Sequence, residues 1–133
     1  MTKVKNSNAK QKKVVKKLVK STKKYELTKE TKVTNGVILH RIKALKDFVC
    51  LGFQVRKGDL GGWIESESNL AQKDNCWVSE SARVYGEALV YGSARVYGSA
   101  RVSGNAEVSG SARVYGYARV SGSARVCEGG ITK

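Results

Sequence analysis

The sequence predicts an all-β fold, a single-stranded β-helix (β-solenoid) with triangular coils. Three observations lead to this prediction: a six-residue repeat that runs without a slip, two small apolar positions in every repeat, and a glycine at the end of nearly all of them. From residue 81 the chain divides into SARVYG, EALVYG, SARVYG, SARVSG, NAEVSG, SARVYG, YARVSG and SARVCE. Short-period self-similarity of this kind is typical of solenoids, in which each repeat packs only against its neighbours.

The two apolar positions predict one short strand in each hexad. Alanine fills the second position throughout, from Ala82 to Ala124, and valine fills the fourth, from Val84 to Val126. Side chains alternate along a strand, so these two residues face inward while positions three and five face outward. A helix would spread them around its circumference. The glycine in position six allows the chain to turn before the next strand.

Weaker repeats extend this array toward the N-terminus. In NCWVSE the inward positions hold Cys76 and Val78, and we expect Leu70 in NLAQKD and Ile64 in WIESES to occupy the first inward position of their hexads. The predicted solenoid then covers residues 63–128. If three hexads close one coil, residues 18 apart stack at about 4.8 Å. The outward columns would be Arg83, Arg101 and Arg119; Trp77, Arg95 and Arg113, with Tyr97 and Tyr115 beside them; and Leu89, Glu107 and Arg125.

Residues 25–62 break the repeat and predict a β cap. TKVTNGVILHRI predicts a hairpin with Asn35 and Gly36 in a type I′ turn, and ALKDFVCLGFQVRKGDLGGW predicts one or two more strands. A stack of coils needs such a cap, since open strand edges invite aggregation. We expect no second cap after Glu128, a short C-terminal tail over 129–133, and self-association through that end.

The N-terminal segment, residues 1–24, is predicted to be a basic arm. The formal charge of the chain is +14, and this segment holds ten lysines and no acidic residue. Such a segment attracts nucleic acid, anionic lipid or an acidic protein face. Val14 and Leu18 lie four residues apart, as do Val15 and Val19. This spacing fits a short amphipathic helix, but a disordered arm is equally compatible with the sequence.

Composition argues against several classes of protein. The three cysteines are scattered, without a CxxC pair, which favours reduced thiols over a disulfide framework. They suggest no metal site, and nothing in the sequence suggests a cofactor. There is no apolar segment of a secretory signal and no run of about 18 apolar residues that could span a membrane. We therefore expect a soluble protein of the cytoplasm.

Several segments resemble a known family. KYELTKETK, NGVILHRIKALKDF, VRKGDLGGWIESESNLAQKDNCWV and the ARVYG repeats, about residues 24–128, are similar to the YdcK-type solenoid proteins of bacteria and prophages. That family is classed with the trimeric left-handed hexapeptide β-helices, so the resemblance implies a left-handed solenoid in a bacterial cell and allows a dimer or trimer. Two features depart from the family pattern: the lysine-rich arm and the inserted segment FVCLGFQV.

The resemblance also raises the question of catalysis. Hexapeptide β-helices include acyltransferases, which need a base, commonly histidine, at a cleft between subunits. The one histidine, His40, lies in the predicted cap hairpin, where we expect a surface or packing role. We expect Glu65, Glu67 and Asp74 to be solvated. The sequence therefore predicts no catalytic residues, and an acyltransferase is the least favoured alternative.

The repeat pattern also predicts positions for the tryptophans, for two of the cysteines and for the outward arginines and tyrosines. We expect Trp63 and Trp77 to close the end of the solenoid, Cys76 to be buried and Cys127 to be exposed. Outward Arg and Tyr side chains suit a β wall and keep it soluble without any further role. They also suit a subunit interface, or a surface that binds phosphates or an acidic host protein.

The leading hypothesis is a non-enzymatic, phage- or prophage-type scaffold that binds a nucleic acid or nucleoprotein. A sharper form is an inhibitor of a host-defence complex, comparable with anti-CRISPR proteins. The alternative is a structural, polymer-forming solenoid. The residues expected to contact the partner are Lys10, Lys12, Lys13, Lys16, Lys17, Lys20, Lys23, Lys24, Arg83, Arg95, Arg101, Arg113, Arg119, Tyr97 and Tyr115.

Overall fold

A computed structural model describes residues 23–132, and it confirms the predicted all-β solenoid. Apart from one 3-10 turn, Glu67–Asn69, the described residues form only strands and their connections. No helix among them has the length and apolar character needed to cross a membrane. The strands are β1 Tyr25–Thr34, β2 Val37–Ala44, β3 Phe48–Cys50, β4 Phe53–Val55, β5 Leu60–Ile64, β6 Trp77–Val78, β7 Arg83–Val84, β8 Leu89–Val90, β9 Arg95–Val96, β10 Arg101–Val102, β11 Glu107–Val108, β12 Arg113–Tyr115, β13 Arg119–Val120, β14 Arg125–Val126 and β15 Gly130–Thr132.

Three sheets form the walls of the solenoid. The first wall has the strand order β1-β2-β5-β7-β10-β13, so the cap continues directly into it. The second wall is β6-β9-β12-β15, and the third is β8-β11-β14, extended by a bridge between Leu70 and Val90. Strands of successive coils pair in parallel, and Arg101 aligns with both Arg83 and Arg119. The predicted stacking of residues 18 apart is therefore confirmed.

The inward positions of the hexads form the core. Every alanine from Ala82 to Ala118 and every valine from Val84 to Val114 is completely buried, as are Cys76 and Val78. In the last coil Ala124 is exposed and Val126 is only partly buried. The inward prediction thus holds for the interior coils, because each of their residues is covered by a coil on either side.

The predicted register of the first two hexads is wrong by two residues. Ile64 pairs with Val84 and Leu70 with Val90, both 20 positions apart, so they occupy the valine position and not the alanine position. The two additional residues lie in the corner 71–75. There the Gln72 side chain accepts hydrogen bonds from the backbone N–H groups of Lys24, at 2.7 Å, and Tyr25, at 3.2 Å. The wider corner therefore holds the beginning of β1.

The predicted tail is also wrong in part, because residues 130–132 form β15. Ile131 pairs with Val114, which is 17 positions earlier. The hexad pattern did not reveal this strand because Ile131 follows Val126 by five residues instead of six. With β15 the second wall gains a fourth strand, equal to the number of solenoid strands in the first wall.

Two hairpins build the cap. β1 and β2 meet at Asn35 and Gly36, whose φ angles of 51° and 78° confirm the type I′ turn. β3 and β4 form a second, shorter hairpin. β5 follows, and Gly61 there has no room for a side chain: a Cβ atom would lie 2.7 Å from Cζ2 of Trp77. The glycines of KGDLGG thus allow β5 to pack closely on the start of the second wall.

Candidate functional site

The outward side of the first wall carries four arginines and one tryptophan in one register. Strand pairing aligns Arg41 with Trp63, Trp63 with Arg83, Arg83 with Arg101, and Arg101 with Arg119. At about 4.8 Å between neighbouring strands, the row is about 19 Å long. We call these five residues the arginine row. The cap therefore lengthens the predicted column of three arginines.

Most of the charge in the arginine row is not neutralised within the described part of the chain. Arg41 lies 3.6 Å from Glu30, whereas Arg83, Arg101 and Arg119 form no salt bridge with any carboxylate of residues 23–132. The Lys32 ammonium lies 4.3 Å from the ring centre of Trp63. Burial, and then repulsion from Arg83 and Arg41, lower the pKa of Lys32. This end of the row is thus a region of concentrated positive charge.

A shallow groove runs along each side of the arginine row. The first groove, about 270 Å³, is lined by Ser81, Arg83, Ser99, Arg101, Tyr117 and Arg119. The second groove, about 180 Å³, is lined by Asn35, Tyr85, Arg101, Ser103, Arg119 and Ser121. Neither lining includes a carboxylate. Guanidinium groups donate paired hydrogen bonds to phosphate or carboxylate oxygens, and hydroxyls can add single ones, so this surface can bind an extended anion.

The second wall has the same repeats, but both of its arginines contact the cap; Arg95 is partly buried, whereas Arg113 remains exposed. The guanidinium of Arg95 lies 4.1 Å from the ring centre of Phe53 in the β3–β4 hairpin and 3.9 Å from that of Tyr97. Arg113 donates a hydrogen bond of 3.2 Å to the carbonyl of Leu51. Tyr97 stacks on Tyr115 with 5.1 Å between ring centres. We therefore leave the predicted second column out of the candidate site.

The two tryptophans lie beside the cap but do not close the end of the coil as predicted. Trp77 stands on the outward side of the second wall and is only 1% exposed, because Phe48 packs edge-on against it at 5.3 Å and Tyr25 at 6.4 Å. Trp63 lies under Lys32 and Arg41. Both therefore attach the cap to the outside of the first coil.

The third wall has mixed charge, as predicted. Leu89, Glu107 and Arg125 align across β8, β11 and β14. The hydroxyl of Tyr91 donates to a carboxylate oxygen of Glu107 at 3.2 Å. This wall therefore offers no continuous cationic surface.

The lysines predicted to bind a partner have different positions. Lys10, Lys12, Lys13, Lys16, Lys17 and Lys20 lie outside the described residues, and so does the choice between helix and arm. Lys23 forms a salt bridge of 3.1 Å with Glu67. The prediction for Lys24 is wrong, because its side chain is completely buried.

Lys24 fixes the cap to the widened corner. Its ammonium donates hydrogen bonds to the carbonyls of Cys76, at 2.6 Å, and Asp74, at 3.3 Å, and lies 3.3 Å from the Cys76 thiol. Burial lowers the pKa of Lys24. Its role is therefore structural, and a hydrophobic pattern search could not have found it.

Glu65, Glu67 and Asp74 are exposed to solvent, as the sequence predicts. His40 pairs with Ile64 across β2 and β5 and is half-buried. Glu65 accepts a hydrogen bond of 2.9 Å from the Gly86 amide, and Glu67 pairs with Lys23. Within residues 23–132 there is no cluster of three or more His, Cys, Asp or Glu side chains that could hold a metal ion.

Cys76 and Cys127 lie where the sequence predicts. Cys76 is buried inside the coil and Cys127 is exposed. Cys50, on the β3–β4 hairpin, is buried against the carbonyls of Ser93 and Ala94, at 3.6 and 3.5 Å. Burial raises the pKa of Cys50 to about 11 and also raises that of Cys76. Both thiols therefore stay protonated, and poorly reactive, at neutral pH.

Two members of the site were missed from the sequence alone. Arg41 joins the row through the pairing of β2 with β5, which no local pattern shows. Tyr117 could have been found from the sequence, since all the remaining hexads from residue 81 onward begin with Ser, Glu or Asn. It is 76% exposed, at the end of the first groove.

Comparison with known proteins supports the resemblance seen in the repeats. A family model described as YdcK Beta solenoid repeat matches residues 82–99, 100–116 and 112–128. The first match has the length of one coil of three walls. A search of curated proteins finds no match to this chain.

Proposed function

We propose that this chain, whose repeats belong to the YdcK beta-solenoid repeat family, is a non-enzymatic scaffold that binds nucleic acid or nucleoprotein through the arginine row. The observation that carries the proposal is the alignment of Arg83, Arg101 and Arg119 without a carboxylate partner in the described residues. The strands hold the backbones of these three arginines at a fixed spacing before any ligand arrives.

The energetics of the row favour a polyanion. Exposed like charges at this spacing repel by about 1 kcal/mol or less per pair in water, so the solenoid tolerates them. A bound polyanion relieves this repulsion and releases its own counterions. One strand of a DNA duplex carries a phosphate every 3.4 Å or so, and thus about six phosphates along the length of the row.

The lining of the grooves supports phosphate over a protein surface as the ligand. Protein interfaces are enriched in Arg and aromatic side chains but depleted in Ser, whereas contacts to nucleic acid phosphates are commonly made by Arg, Lys, Ser, Asn and Tyr. The two grooves contain arginine, serine, asparagine and tyrosine only. In sequence the lysine-rich arm directly precedes β1, which belongs to the same sheet as the row.

The sharper form of the proposal is that a phage-type protein of this kind inhibits a nucleic-acid-guided host-defence complex in the bacterial cytoplasm. Such complexes present nucleic acid strands to which a cationic wall would bind. Pull-down from bacterial extract, with and without nuclease treatment, tests this form. Capture of such a complex by the parent protein, and its loss when Arg83, Arg101 and Arg119 are changed to Gln, is the expected result.

Salt titration tests the main proposal. Binding of labelled single-stranded and duplex oligonucleotides is measured by fluorescence anisotropy at salt concentrations from about 50 to 200 mM. The triple variant Arg83→Gln, Arg101→Gln, Arg119→Gln should reduce the steepness of log K against log salt by about 2, since each lost contact to a single strand removes about 0.7.

The matched control removes three exposed charges elsewhere. It combines Arg125→Gln with Lys46→Gln and Lys57→Gln, which lie outside the arginine row. We expect this variant to keep nearly the slope of the parent. Equal slopes for the parent and the arginine triple variant would overturn the proposal.

A further inference from the structure

Tyr117 bounds the first groove at the far end of the arginine row. In the two coils below it, the same position holds Ser81 and Ser99, and these three residues line the groove together with the arginines. Tyr117 is 76% exposed, the largest exposed fraction among the large hydrophobic side chains of the described residues. An aromatic ring therefore stands in solvent directly beside Arg83, Arg101 and Arg119, which have no carboxylate partner among residues 23–132.

We infer that the strand bound on the first wall is single-stranded nucleic acid and that Tyr117 stacks on one of its bases. This inference rests on the proposed function and names the form of its ligand. Proteins that bind single strands combine a cationic groove along the backbone with aromatic side chains that stack on bases. In a duplex the faces of the bases are already stacked on each other and are closed to such a ring.

The positions of Tyr117 and Arg119 fit one nucleotide. Tyr117 lies in the turn that precedes β13, and Arg119 is the first residue of that strand, two positions later. Both also line the first groove. A phosphate on Arg119 would place the base of the same or the next nucleotide within reach of the Tyr117 ring.

The shape of the row also favours one strand over two. The aligned arginines form a single file across the strands, with a shallow groove on either side. Ser81 and Ser99 also line the first groove, and their short side chains leave space for a chain beside the guanidinium groups. One backbone can therefore follow the row while its bases turn toward Tyr117.

The test compares Tyr117→Ala with Tyr117→Phe on three probes: a single-stranded oligothymidylate, a duplex of equal length and inorganic polyphosphate. We expect Tyr117→Ala to lower affinity for the single strand by about tenfold, since removing one stacking side chain commonly has this effect. Tyr117→Phe should bind as the parent does. Affinity for polyphosphate, which has no bases, should not change in either variant.

A matched control and a stability measurement complete the test. Tyr91→Ala removes a tyrosine from the third wall, away from both grooves, and should leave all three affinities unchanged. Thermal unfolding of Tyr117→Ala should match the parent, because the ring is mostly exposed.

The outcomes separate this inference from the function on which it rests. If Tyr117→Ala binds the single strand like the parent, or loses polyphosphate to the same degree, stacking on Tyr117 is wrong. If the duplex binds more tightly than the single strand, the single-strand form of the ligand is wrong. In both cases the arginine triple variant can still show reduced binding, and the proposed function stands. If that triple variant binds every probe like the parent, the proposed function itself fails.

Discussion

The first and second walls of the solenoid are built from the same hexads, but their arginines have different surroundings. Arg95 and Arg101 both occupy the third position of a SAR hexad, in consecutive repeats. Arg101 borders two open grooves, whereas Arg95 lies between the rings of Phe53 and Tyr97. The repeat therefore decides which way a side chain points, but it does not decide whether that side chain stays free.

The cap causes this difference between the surroundings of Arg95 and Arg101. The segment FVCLGFQV forms the β3–β4 hairpin. Phe48, Cys50 and Val55 of this hairpin are buried, and the hairpin covers Trp77 and Arg95. On the first wall the cap instead adds β2 beside β5 and so continues the row with Arg41. One cap thus covers Trp77 and Arg95 of one column and lengthens another column.

Removing the Trp77 ring, which lies beneath the β3–β4 hairpin, should have the largest effect on stability. Trp77→Ala should lower the free energy of unfolding by about 3–5 kcal/mol, because this buried ring packs against Tyr25 and Phe48. Urea denaturation followed by circular dichroism measures the change. Leu89→Ala is the control, since Leu89 has the same position in the uncovered third wall and is only partly buried. Similar losses for both variants would contradict the view that the second wall is a covered core.

Alkaline pH should destabilise the packing of the β3–β4 hairpin, which carries Cys50, on the second wall. Burial raises the pKa of Cys50 to about 11 from its ordinary value of 9.0. The protonated thiol is thus favoured in the folded state, so its contribution is complete below pH 9 and is lost as the pH rises from 9 to 11. The loss is about 2–3 kcal/mol for a shift of this size, and its direction follows from burial, which removes water from the thiolate.

The pH dependence is measured as the free energy of unfolding between pH 8 and pH 11 or so, spanning the two pKa values. In Cys50→Ala the decline over this range should be smaller than in the parent. Cys76 and Tyr25 also have raised pKa values, and Lys24 has a lowered one, so the parent curve contains several contributions. Cys127→Ala, which removes an exposed thiol, should follow the parent curve. A decline in Cys50→Ala as steep as in the parent would show that the hairpin thiol is not the source.

The parts of the fold that were predicted from the sequence follow from local rules. Strand alternation and a constant period place Val84 inward and Arg83, Arg101 and Arg119 in one column, whatever surrounds them. The Asn-Gly turn likewise depends only on two neighbouring residues. These features could be predicted because each repeat contacts chiefly its own neighbours.

The parts that were missed depend on contacts between distant residues. The register shift arises where Gln72 binds the backbone of Lys24 and Tyr25, almost 50 positions earlier. Burial of Lys24 needs the carbonyls of the same corner. Arg95 is covered because the β3–β4 hairpin packs on the second wall, where Phe48 contacts Trp77 and Cys50 contacts the Ala94 carbonyl. The six-residue period of the sequence does not predict any of these contacts.

Removing the Phe53 ring from Arg95 should have the smallest effect on stability, but it tests the difference between the two walls most directly. Phe53→Ala removes one of the two rings that hold the Arg95 guanidinium. We expect a loss of about 1 kcal/mol in stability, as for a partly buried cation–π contact. The released guanidinium should also steepen the salt dependence of single-strand binding by about 0.7.

The double variant Phe53→Ala, Arg95→Gln decides whether that gain comes from Arg95. Its slope should return to the value of the parent, because the newly exposed charge is gone while the hairpin remains altered. Arg95→Gln alone should leave the slope unchanged, since Arg95 is engaged inside the fold of the parent. If Arg95→Gln alone reduced the slope as much as Arg101→Gln, the second wall would bind the ligand as well as the first, and the cover would not set the difference between them.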